Sequence, residues 1–77
     1  MDEKERAKKD IDKLVAMANE FKELGLALKY PEPMKWAENY LHDAEHFYKE
    51  GKYFTAFGAA NYAYGIIDGI LIIERKK

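Results

Sequence analysis

From Tyr53 to Ile73 the chain runs for 21 residues with only Thr55, Asn61 and Asp68 as clearly polar side chains. Strands seldom exceed about ten residues, so a run of this length folds as one helix, about 30 Å long. Such a helix has two solutions. It crosses a bilayer, whose hydrocarbon core is about 30 Å thick, or it forms the centre of a small bundle. Gly65 and Gly69 stand in the G-x-x-x-G spacing by which membrane helices pack. Asp68 argues the other way, because a carboxylate near the bilayer centre costs about 2.5–3.5 kcal/mol on insertion scales. The rest of the chain also offers apolar stripes that need a partner, so no membrane span is expected.

Those stripes read as helices. Ala7, Ile11, Leu14, Ala18, Phe21, Gly25 and Leu28 alternate steps of four and three, which places them on one side of a helix over residues 3–29. Asp2, three residues before Glu5, resembles a capping box at its start. Glu5 and Lys9 form an i,i+4 pair of the favoured polarity. Gly25 either lies inside this helix or ends it. Tyr30-Pro31-Glu32-Pro33 stops it, because a residue before proline is pushed toward extended geometry. Pro33 then suits the first turn of a second helix, over 33–50, on which Ala37, Leu41, Ala44 and Tyr48 keep the same spacing. Gly51 is a natural left-handed cap, and a third helix, over 52–75, follows at once. So short a connection forces an antiparallel hairpin. The expected fold is all-α: one domain over residues 1–77, arranged as a three-helix antiparallel up-down-up bundle like a spectrin repeat.

A chain of 77 residues sits near the size at which one core barely outweighs chain entropy. Here 48% of residues are apolar and 14% aromatic, which supplies a core without a metal or a disulfide. Fully burying one Leu, Ile or Phe contributes about 1.5–3 kcal/mol. The lack of cysteine excludes thiol chemistry, zinc fingers and disulfide frameworks, and fits a cytoplasmic setting. Thirteen basic and 14 acidic side chains leave a net charge of −1, so no field draws in a polyanion and nucleic acid is not an expected partner. The run Arg75-Lys76-Lys77 is explained by the helix dipole it opposes. The charged start, Met1 to Arg6, does not read as a secretory signal.

The third helix carries more apolar surface than two neighbours cover. Tyr53, Phe57, Ala60, Ile66, Ile70 and Ile73 point in almost every direction around it, the pattern of a helix covered on both sides. A second copy in a homodimer, or a partner helix, is the expected cover.

Within that helix Asn61 and Asp68, seven apart, share a face with Gly58, Gly65 and Ile72. Polar groups on an apolar helix are costly unless hydrogen-bonded. Three readings fit: bonds that fix helix register, a glycine-floored pocket for a ligand, or an exposed edge. The glycines read as places where a neighbouring helix comes close. In the second helix, His42-Asp43-Ala44-Glu45-His46 fits the H-x-x-E-H pattern of inverted zinc proteases, and two histidines at i,i+4 can grip one metal ion. A protease needs a third ligand and a cleft that so short a chain does not supply. The plainer reading is a solvated face with Glu45 paired to Lys49. The chain has no Ser, and Thr55 is its one aliphatic hydroxyl, so a Ser-His-Asp arrangement is excluded. No catalytic residue and no cofactor is expected.

Tyr53-Phe54-Thr55-Ala56-Phe57, then Asn61-Tyr62-Ala63-Tyr64-Gly65, then Asp68, after a Gly-x-Tyr-x-x-Ala turn at Gly51 to Ala56, resembles the family of short archaeal proteins known as domain of unknown function 357. Length and helix layout agree over most of the chain. The resemblance implies an archaeal source and a helical, spectrin-like bundle. It implies no activity, and it singles out Asn61, Tyr62, Gly65 and Asp68.

Taken together, the expectation is a non-enzymatic module for protein–protein interaction or self-association. Its candidate interaction or pocket residues are Asn61, Tyr62, Gly65, Asp68, Gly69 and Ile72. The alternative is a small-ligand or metal-binding domain that uses Asn61 and Asp68, or His42 and His46.

Overall fold

The computed structural model describes residues 2–76; Met1 and Lys77, part of the charged start and the basic tail read above, lie outside the described residues. Among the described residues the chain is all-helical: α1 (Glu3–Glu23), α2 (Leu26–Lys29), α3 (Pro31–Lys49) and α4 (Tyr53–Ile73).

Each helix starts and stops for a local reason. At the start of α1 the Asp2 carboxylate accepts the Glu5 backbone N–H at 2.8 Å, satisfying one of the orphan donors of the first turn. The ion pair along α1 joins Lys8 to Asp12 at 2.7 Å. The expected single helix over 3–29 is corrected here. It stops at Glu23, and Gly25 takes a left-handed conformation (φ 76°) with its N–H on the Lys22 carbonyl. Only glycine enters that region without penalty, and the turn it makes re-aims the one-turn helix α2. Leu26 is thereby buried, whereas Leu28, the end of the expected stripe, is 89% exposed.

The second long helix begins at Pro31, two residues earlier than expected. Tyr30 holds a non-helical conformation before it (φ −124°, ψ 66°). Both prolines then fall within the first turn, where no backbone N–H is needed. At the other end Gly51 is left-handed (φ 79°), as the sequence indicates. Its N–H reaches the Tyr48 carbonyl at 3.0 Å and the Lys52 N–H reaches Phe47 at 2.9 Å, the paired bonds of a Schellman cap.

Ring and side-chain contacts give the helix directions. Tyr40 meets Tyr62 and Tyr48 meets Tyr53, so α3 and α4 run oppositely. Arg6 lies over Phe57, Asp10 bonds Asn61 and Lys13 lies over Tyr64, so α1 and α4 run the same way. α4 packs most extensively on α3 and then on α1, while α1 and α3 touch less. The inward ridge of α4 is Ala56, Ala60, Ala63, Ile67 and Leu71, all buried. Ile11, Leu14 and Phe21 of α1, with Leu26 and Met34, pack with it in one core. No described polar side chain is buried, so the core needs no internal hydrogen bonds.

A clamp ties the α2–α3 corner to the end of α4. The Tyr30 hydroxyl donates to the Glu74 carboxylate at 2.5 Å, and the Lys29 ammonium lies 2.9 Å from the same oxygen. The Tyr30 hydrogen bond, and after it the Lys29 contact, hold the Glu74 carboxyl below the usual carboxylate range. A carboxylate whose folded pKa is depressed stabilises the fold above its unfolded value, about 4.3, and loses that contribution as pH falls through the folded value. Glu74→Gln is therefore expected to be less stable than the parent at neutral pH by urea denaturation. The gap should close on acidification. A gap of constant size across that range would contradict the clamp.

Candidate functional site

At roughly 100° per residue, Gly58 lies diametrically opposite the buried Ile67 on α4, and Gly65 and Gly69 fall within about 20° of it. These glycines form the outermost ridge of the helix. A Cβ built on any of the three meets nothing within 4 Å. The expectation that they let a neighbouring helix approach is therefore not met inside the chain: α1 and α3 rest on the alanine side. A glycine in a helix interior costs about 1 kcal/mol relative to alanine, and no contact within the protein offsets it.

Apolar side chains flank the ridge. Phe54 is 75% exposed, Ile73 74% and Tyr62 59%, with Ile72 similar. Beside them on α3 stands Trp36, 56% exposed, in a line of rings: Trp36 to Tyr40 at 6.4 Å and Tyr40 to Tyr62 at 4.5 Å between centroids. Tyr40 and Tyr62 form the shared wall of two shallow grooves along α3 and α4. One, of about 570 Å³, includes Trp36 and Ile66, and the other, of about 460 Å³, includes Phe47, Phe54 and Gly58. No charged residue falls on the ridge itself.

The other candidates separate. Asn61 is exposed and turns toward α1, where its amide donates to Asp10 at 3.0 Å and to the Phe57 carbonyl at 2.9 Å. The first of these bonds ties α4 to α1 at that level. Asp68 is half-buried and already engaged by neighbouring groups. Asn61, Tyr62, Gly65, Asp68, Gly69 and Ile72 thus do not form one pocket: Tyr62, Gly65, Gly69 and Ile72 belong to the outer face, and Asn61 to the seam with α1. His42 and His46 are both exposed on α3, and His46 lies 3.4 Å from Glu50. Among the described residues no three His, Asp or Glu side chains come together so as to hold a metal ion.

Trp36, Tyr40 and Phe54 complete the outer face and are not among the residues the sequence singles out. The i,i+4 spacing of Trp36 and Tyr40 is a signal for one helix face, but not for which face solvent meets. By length and composition α4 is the one described helix that suffices to cross a membrane, and a third of its most apolar stretch is buried in the protein.

Over residues 4–75 the chain matches the family described as "Protein of unknown function (DUF357)", and it belongs to that family. No curated protein and no solved structure matches it.

The two kinds of glycine respond oppositely to alanine. Gly58→Ala is expected to stabilise the monomer by about 0.5–1 kcal/mol, read by urea denaturation at high dilution. Gly51→Ala is expected to destabilise it by about 1–2 kcal/mol, the left-handed penalty. A loss of stability at Gly58 would contradict its placement on the open side.

Proposed function

We propose that this member of the DUF357 family is a non-enzymatic self-association module. In this reading it is an antiparallel up-down-up three-helix bundle of the spectrin-repeat kind, and it presents the outer ridge of α4 to another helix. The observation that carries it is the uncovered glycine ridge, Gly58, Gly65 and Gly69, framed by the exposed Phe54 and Tyr62. Three glycines that weaken a helix without a contact in their own chain make sense where a second backbone comes close to them. An exposed apolar patch of this kind marks an interaction surface on a soluble domain.

The same reading keeps α4 out of the bilayer and the protein in the cytoplasm. Drawing α4 into lipid would uncover Ile11, Leu14, Phe21 and Met34, whose burial depends on it. The ligand alternative has less support, since Asn61 is engaged by Asp10 and Phe57 and His46 stands beside Glu50.

Sedimentation equilibrium over the micromolar range tests the reading. The parent chain is expected to associate reversibly. Gly65→Leu is expected to remain monomeric, although leucine is the better helix former by roughly 0.8 kcal/mol. A parent chain that stays monomeric at the highest concentration, and behaves like Gly65→Leu throughout, would overturn the proposal. So would transfer of the parent chain into lipid vesicles with α4 protected.

A further inference from the structure

Resting on the self-association just proposed, the geometry points to a specific partner and register: a second copy of this chain, with the two α4 helices antiparallel about a twofold axis midway between Tyr62 and Gly65. The outer face of α4 is self-complementary about that point. Reversing the helix there sets Tyr62 across from the partner's Gly65, and Gly58 across from the partner's Gly69. Phe54 falls within one residue of the level of the partner's Ile72, on the same side of the ridge. Each large side chain on one half meets glycine or aliphatic surface on the other. A twofold contact requires this, because each element of the patch must fit another element of the same patch.

The flanking helices agree with that register. On the α1 side Arg6, Asp10 and Lys13 all reach toward α4, at the levels of Phe57, Asn61 and Tyr64. Glu20 lies two turns beyond Lys13 on the same face of α1. The twofold brings Arg6 within one residue of the level of the partner's Glu20, and Asp10 within two of the level of the partner's Lys13, so unlike charges lie at neighbouring levels on the two α1 helices. On the α3 side it brings Trp36 level with the partner's Tyr40 and Tyr62. A net charge of −1 opposes association only slightly.

The area is of the required order. Aromatic side chains present about 150–250 Å² each. Phe54, Tyr62 and Trp36, each more than half exposed, therefore offer roughly 400 Å² per copy before Ile72, Ile73 and the glycine ridge are counted. A stable interface takes about 800 Å² per partner.

Cysteine cross-linking reads the register, and the chain has no cysteine of its own to interfere. Thr55 and Ile73 are both exposed and lie on the same side of the ridge. In the antiparallel pair Thr55 is within one residue of the level of the partner's Ile73, inside the Cα separation of about 7 Å that a disulfide spans. Two copies of Thr55 are then about 25 Å apart along the helix. A mixture of Thr55→Cys and Ile73→Cys chains is expected to give a covalent dimer under mild oxidation, and neither variant alone is expected to do so. Circular dichroism confirms that both variants keep the parent fold. Cross-linking of Thr55→Cys with itself would show parallel helices and overturn the register while leaving self-association intact. A parent chain that sediments as a dimer, with no cross-link in the mixture, would likewise place the contact elsewhere. A parent chain monomeric throughout would remove this inference and the function it rests on together.

Discussion

Two helices cover one side of a third, and α4 is apolar on both. The arrangement of this molecule follows from how that mismatch is divided. The inner side of α4 is given to its own chain, through Ala56, Ala60, Ala63, Ile67 and Leu71. Along the first half of the helix this side is all alanine, which lets α1 and α3 approach and send in larger groups such as Ile11 and Leu14. Where Ala18 of α1 comes level with α4, the inner side turns to Ile67. Small residues on one helix against large ones on the next fill the interior at the density folded cores require.

The outer side is left with what the core does not use. Its three glycines are the smallest surface a helix can present, and they alternate with some of the largest side chains in the protein. A water-facing helix side ordinarily carries charge. Here the charges sit on α1, on α3 and at the helix ends, and the glycine ridge of α4 is bare of them. In the proposed reading this division separates two roles within 21 residues of helix: alanine for the contact made within the chain, glycine for the contact with a second copy.

Much of this was legible in the sequence, and the parts that were not share a cause. The helical nature of Tyr53–Ile73, the cap at Gly51 and the cap at Asp2 are local, and local chemistry decides them. The break at Gly25 is undecided in the sequence, because glycine fits both a helix interior and a left-handed turn. The outcome was set by the burial of Leu26, a tertiary event. The Tyr30–Glu74 bond joins residues 44 apart, beyond any periodicity argument. Spacing groups Asn61 and Asp68 with the glycines, yet Asn61 turns toward Asp10, which only the position of α1 decides. Surplus apolar character on α4 was readable. Which residues carried the surplus was not, because alanine and glycine look alike until the neighbouring helices are in place.

The central claim is that the glycine ridge, and not the alanine ridge, is where this protein meets its partner. A dilution series followed by amide nitrogen–proton correlation spectra tests it most directly, since the glycine amides of α4 are resolved from the crowded helical region. The account predicts that the Gly58, Gly65 and Gly69 signals move with concentration while those of Ala56, Ala60 and Ala63 hold still. Signals that stay fixed at every concentration, or shifts centred on the α1–α3 surface instead, would contradict it.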